Sequence, residues 1–144
     1  LVDAIFRTPK KKKEEKECDE KAEKLLKMMN LWEDRYELAT SLPYGKQRRL
    51  EIARALAANP KLLLLDEPAA GMNEQETAEL LDMVKQLQGL GYTILLIEHD
   101  MKFVMNICER IYVLNYGELL ATGTPMEIRN NKDVIEAYLG KEDD

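Results

Sequence analysis

The sequence predicts an α/β fold built on a parallel sheet, and three observations point there. Residues 61–65 and 92–97 form two short, mostly apolar runs of the kind that become strands buried on both faces. Between them lies a helical stripe, so the order is strand, helix, strand, which implies a right-handed parallel crossover. Both runs stop at polar residues, Asp66-Glu67 in one case and His99 just beyond the other.

The elements follow in order along the chain. Residues 10–24 carry seven lysines and six acids, a nearly balanced block that reads as a solvated helix or its frayed start rather than a binding tail. From about Cys18 the spacing of Ala22, Leu25, Leu26 and Met29 is helical, ending near Asn30. A second helix is written in KQRRLEIARALAAN, with Leu50, Ala53, Leu56 and Ala57 recurring on one side, and Asn59-Pro60 stops it. Asn73 with Glu76 spells a capping box for a third helix, whose stripe is Leu80, Leu81, Val84 and Leu87 and whose close is Gly89 or Gly91. Asp100 caps a fourth, with Phe103, Val104 and Ile107 inward. Arg110–Leu114 and Glu118–Ala121 predict a hairpin around Asn115-Tyr116-Gly117. Thr124, Pro125 and Glu127 give an N-cap, a first-turn proline and a capping-box acid, and Asp133–Leu139 predicts a last short helix.

Composition sets the class. A chain of 144 residues that is 45% hydrophobic is long enough for one domain with a real core. The net charge of −6 argues against a protein that grips nucleic acid. Cys18 and Cys108 lie far apart without CxxC spacing, so neither a disulfide framework nor a zinc site is indicated and a reducing, cytosolic setting fits. No apolar run approaches a bilayer span and no signal-peptide pattern opens the chain, so the protein is not expected to enter a membrane by itself.

Three places have the residue types for chemistry. Asp66 and Glu67 follow a buried strand at the edge where parallel sheets bind ligands. There the first carboxylate suits a hydrated Mg²⁺ and the second suits an attacking water, unless the pair is simply a surface turn. His99, the one histidine, follows the second strand and is placed to meet a terminal phosphate or a water, or else is structural. Gly45 precedes an arginine-rich helix whose N-terminus offers N–H groups and the positive end of the macrodipole to an anion, the alternative being an ordinary turn glycine.

Taken together, LPYGKQRRLEIARAL, then LLLLDEPAAGMN, then LLIEHD resemble the signature motif, Walker B strand, D-loop and switch histidine of ABC-type ATPases, in that order and spacing. The remainder, including GTPMEIRNNKDVIEAYLG, is similar to the ATP-binding subunits of ABC importers of the branched-chain amino-acid type. The resemblance implies a P-loop NTPase fold, an ABC ATPase nucleotide-binding domain present in part. Residues 1–58 would belong to the helical subdomain with the signature motif, and residues 59–144 to the C-terminal half of the core, with Walker B, D-loop and switch histidine.

It also implies roles. Asp66 would hold Mg²⁺ through water, Glu67 would be the catalytic base, and His99 would stand at the γ-phosphate. Leu42, Pro43, Tyr44, Gly45 and Lys46 would reach across a dimer to ATP held by a second ATPase subunit, and Ala70–Asn73 would form the D-loop. The chain departs from the general family pattern at Pro43, Tyr44 and Lys46, where serine, glycine and glutamine are usual, and at Asn73, where aspartate is common. The hydroxyl contact of the signature serine is thus lost. Tyr44 is usual in the branched-chain subgroup, and Lys46 would bring a positive charge toward phosphate.

No GxxxxGKS/T occurs among the seven glycines, at 45, 71, 89, 91, 117, 123 and 140, so the cradle for the α- and β-phosphates is absent from the sequence. The expectation is the C-terminal part of an ATPase subunit, inactive alone and either marginally stable or self-associating through an unpaired sheet edge. The implied partners are a second ATPase subunit, transmembrane permease subunits and, indirectly, a periplasmic or extracellular substrate-binding protein, with no nucleic acid. The implied place is the cytoplasmic face of the cell membrane. Two rival readings are a soluble non-transport ABC ATPase and a catalytically dead interaction domain.

Overall fold

A computed structural model describes residues 9–139, which fold as two compact units, one running to Leu96 and the other starting at Ile97. The first unit holds α1 (Pro9–Met28), two 3₁₀ turns (Trp32–Asp34 and Ala39–Ser41), α2 (Tyr44–Ala57), β1 (Leu62–Asp66), α3 (Glu74–Gly89) and β2 (Thr93–Ile97), whose last residue opens the second. The second unit holds α4 (Met101–Ile107), β3 (Ile111–Asn115), β4 (Glu118–Gly123), α5 (Pro125–Arg129), α6 (Lys132–Val134) and a π-helical turn (Ile135–Leu139).

Helix α1 begins at Pro9, well before the Cys18 read from apolar spacing. The reason lies in charge rather than burial. Lys13–Glu17 at 3.8 Å and Lys16–Glu20 at 3.7 Å are i,i+4 pairs on an exposed face, each worth about 0.2–0.5 kcal/mol to a helix. Apolar spacing governs only the far end, where Leu25 and Met29 are buried, although Ala22 is exposed. Asn30 (φ 54°) ends the turn in the left-handed region that asparagine tolerates. Lys21 Nζ donates to the Ala57 carbonyl at 2.7 Å and to Asn59 Oδ1 at 2.8 Å, which ties α1 to the last turn of α2.

β1 and β2 pair in one two-stranded sheet, joined through α3, whose Leu80, Met83, Val84 and Leu87 are buried. Here one expectation is corrected, because the strands are not buried on both faces. Along β1, Leu63 and Leu65 are covered, whereas Leu62 is 48% and Leu64 65% exposed. β2 repeats the pattern with Leu95 at 53% and Ile97 at 58%. A run of four leucines cannot reveal by its composition which face has a partner; only the packing does.

In the second unit β3 and β4 form an antiparallel hairpin, with the register shifting between Val113 and Leu114. Tyr116 (φ 50°) and Gly117 (φ 83°) are both left-handed, the requirement of a two-residue turn matched to strand twist. Ile111 and Val113 face a small core of Val104, Ile128 and Val134. The last helix covers the span its sequence suggested, but α6 itself is only three residues before the chain widens into the π-helical turn.

The capping box at Thr124 and Glu127 forms as expected, with the Thr124 amide donating to Glu127 Oε2 at 2.7 Å and the Thr124 hydroxyl at 3.0 Å. These bonds, the backbone one first, hold the Glu127 carboxyl below its ordinary value of 4.5. A depressed carboxylate adds stability above its unfolded value and loses it as pH falls through the folded one. Glu127→Gln is therefore expected to lie below the native chain in denaturant midpoint at pH 7, with the gap closing below about pH 4.5. Parallel urea titrations across that range check it.

Candidate functional site

Tyr44 and Gly45 open α2, and the chain enters through Pro43 in an extended conformation (φ −54°, ψ 151°). Pro43 supplies no side-chain cap, and its carbonyl accepts the Gln47 amide at 3.0 Å. Leu42 is buried and its carbonyl accepts Gln47 Nε2 at 2.7 Å, so the turn before α2 is fixed from within. Tyr44 is held on one side by Arg48, whose Nε donates to the phenol oxygen at 3.0 Å and whose guanidinium lies 5.3 Å from the ring centre. The ring also lies close to Gly71, where an added Cβ would stand 3.5 Å from Tyr44 Cε1.

Gly45 is buried and lies against the carboxylate of Glu76. A Cβ at this position would stand 2.8 Å from Glu76 Oε1, closer than real Cβ atoms come. The same carboxylate closes the capping box of α3: Asn73 N donates to Glu76 Oε2 at 3.1 Å, and Glu76 N donates to Asn73 Oδ1 at 2.9 Å. Two contacts, Tyr44 with Gly71 and Gly45 with Glu76, thus bring residues 44–45 and 71–76 together. The sequence shows Glu76 only as a capping acid; its second contact depends on the packing of α2 against the start of α3.

Lys46, expected to offer charge toward a phosphate, is instead held by both carboxylate oxygens of Asp34, at 2.8 and 2.7 Å. Arg48 and Arg49 are likewise engaged, with Glu51 at 2.9 Å and Glu79 at 3.2 Å. The Glu51 bond, followed by that to Tyr44, raises the Arg48 pKa further. Lys46, Arg48 and Arg49 are therefore each engaged by a carboxylate within the unit.

Asp66 is the last residue of β1 and is exposed. It lines a shallow groove with Arg48, Glu51, Leu64 and Pro68. Glu67, the next residue, is also exposed and has φ +42°. A left-handed conformation is uncommon for any residue but glycine, and such backbone strain concentrates at functional sites. It turns the chain so that the Glu67 carbonyl accepts the Ala70 amide at 3.1 Å, opening the segment that ends at Asn73.

His99 lies in the second unit, just past the end of β2, with its side chain 75% exposed. Its neighbour Glu98 has a side chain only 1% exposed. A signal for it was present. The two-residue period of β2 leaves Thr93, Leu95 and Ile97 out and Ile94 and Leu96 half-buried, and continuing it sends Glu98 inward and His99 outward.

Comparison with known proteins gives these residues a context. Residues 3–70 match the family described as "ABC transporter", and residues 118–144 match "Branched-chain amino acid ATP-binding cassette transporter". The chain is 50% identical over 142 residues to the high-affinity branched-chain amino acid transport ATP-binding protein LivG of Salmonella typhimurium, covering 98% of this chain and 56% of that protein. BraF of Pseudomonas aeruginosa, of the same description, is 49% identical over 138 residues, with 95% of this chain and 54% of BraF covered. Among solved structures, the ADP conformation of MJ1267, an ATP-binding cassette of an ABC transporter, superimposes with a TM-score of 0.78 at 32% identity, over 87% of this chain and 51% of that one. The chain spans little more than half the length of these relatives. The fold is that of the P-loop NTPases of ABC type, in part. With both family profiles matched and relatives about half identical along nearly its whole length, the chain belongs to the ABC transporter ATP-binding-cassette family, in the branched-chain amino-acid group.

Proposed function

We propose that this chain forms part of a subunit that couples ATP hydrolysis to the import of branched-chain amino acids. The observation that supports this most is placement: LPYGK at the mouth of α2, Asp66-Glu67 at the end of β1 and His99 past β2, in a chain half identical to LivG. The subunit would work at the cytoplasmic face of the membrane with a second ATPase subunit and with permease subunits fed by a substrate-binding protein. No helix among the described residues is long and apolar enough to cross a membrane. The functional division is residues 1–58 as helical subdomain and residues 59–144 as core.

In this reading Glu67 orients the attacking water and takes its proton as the water oxygen bonds the γ-phosphorus and the bond from phosphorus to the β–γ bridging oxygen breaks, with ADP as the leaving group. His99 holds a terminal phosphate oxygen. Gly45, with Leu42, Pro43 and Tyr44, presents the N-terminus of α2 to ATP bound by the partner subunit, where N–H groups and macrodipole favour phosphate. Asn73 keeps the D-loop turn through its capping bond with Glu76. Lys46 adds charge there only by leaving Asp34.

The described residues contain no group of three or more His, Cys, Asp or Glu set to hold a metal. Mg²⁺ is commonly bound by one or two carboxylates together with substrate phosphates, and Asp66, exposed at a strand end, fits that mode through water. When bound, the ion would neutralise charge on the phosphate oxygens.

Because the chain lacks GxxxxGKS/T, it is not expected to turn over ATP alone. Calorimetry with Mg-ATP tests this, on the 144-residue chain beside a full-length subunit. Binding by the longer form only supports the reading; binding by the short chain overturns the account of the phosphate cradle.

A further inference from the structure

Glu98 has no part in the roles above, and its surroundings are unusual for a carboxylate. Its side chain is 1% exposed, and a buried carboxylate is costly unless hydrogen bonds replace its water. Glu98 Oε2 accepts the backbone N–H of His99 at 3.0 Å and lies 3.4 Å from that of Asp100. The same oxygen is 3.7 Å from His99 Nδ1, too long for a hydrogen bond and close enough for its field to orient the ring.

The segment is pinned on the other side as well. Asp100 accepts the Phe103 amide at 3.1 Å and caps α4, whose Phe103, Val104 and Ile107 are buried. His99 thus stands between two carboxylates that hold backbone, and its own side chain points outward. A surface loop needs no buried acid to turn. A loop that must present one imidazole in one orientation does gain from such a clamp.

We propose that Glu98 is a positioning residue for His99. Its buried carboxylate fixes the two peptide N–H groups at the end of β2 and draws Nδ1 toward itself, leaving Nε2 as the nitrogen that meets the terminal phosphate. This inference rests on the reading of His99 as the γ-phosphate residue.

The test is made in the full-length subunit with its permease. Glu98→Ala removes the acceptor, and hydrogen exchange at the His99 and Asp100 amides is expected to quicken about ten- to a hundredfold while the Ile107 amide holds its rate. The kcat for ATP is expected to fall about tenfold or more, with KM within about twofold, because a misaligned group chiefly loses transition-state interactions. Glu98→Gln keeps an acceptor oxygen within reach of the two amides but lacks the charge that draws Nδ1, so its amide exchange is expected near the native rate and its kcat between the native and alanine values, which also guards against a misfolded alanine variant. Unchanged exchange at His99 and Asp100 in Glu98→Ala overturns the proposal, as does a glutamine variant in which those two amides exchange as fast as in the alanine one. His99→Ala separates the two ideas. If it is inactive while Glu98→Ala is not, the positioning role alone falls; if it hydrolyses ATP at the native rate, the functional reading falls, and the positioning role with it.

Discussion

Replacing Glu67 with glutamine in the full-length subunit is expected to lower ATP turnover by about 10²–10⁴-fold, the usual contribution of a positioned general base. Glutamine keeps the size and one acceptor oxygen, so a water still docks; it has no lone pair basic enough to accept the proton as the oxygen attacks phosphorus. The left-handed backbone at Glu67 is as available to glutamine as to glutamate, so the turn to Ala70 should survive. Mg-ATP affinity is therefore expected to stay within a few-fold, and the loss should appear in kcat. Steady-state phosphate release with parallel calorimetry checks both halves. A variant that hydrolyses ATP within about threefold of the native rate would remove Glu67 from the base role and leave Asp66-Glu67 as a surface turn after a strand.

Local chemistry was legible in the sequence wherever a rule operates within a few residues. Asn73 with Glu76, Asp100 with Phe103 and Thr124 with Glu127 are contacts of three residues' span, and each forms as read. The hairpin turn and the break at Asn59-Pro60 belong to the same class, since left-handed backbone and proline act locally. Contacts set by packing between elements were not legible. Nothing in LPYGK shows that Lys46 meets Asp34 or that Gly45 makes room for Glu76, because those partners arrive with other elements. Glu98 was hidden for another reason: an acid at the end of an apolar run reads as the start of solvent, and only the continued alternation of β2 shows it turning inward.

That same alternation makes a pair of neighbouring leucines the sharpest probe of what this chain is part of. Leu63 is 3% exposed and Leu64 65% exposed in one strand, so they face opposite sides of the β1–β2 sheet. In the 144-residue chain Leu63→Ala is expected to cost about 2–5 kcal/mol, the range for removing a buried leucine and leaving a cavity. Leu64→Ala removes apolar surface that water already reaches and should stay within about 1 kcal/mol. In the full-length subunit further sheet or helix is expected to cover the open face, as parallel sheets of α/β proteins are covered on both sides. There Leu64→Ala should cost about as much as Leu63→Ala. Urea unfolding of both variants in both lengths measures the four values. Equal costs in the short chain would contradict the one-sided packing, and a cheap Leu64→Ala in the long one would mean that this face stays open for something other than the subunit itself.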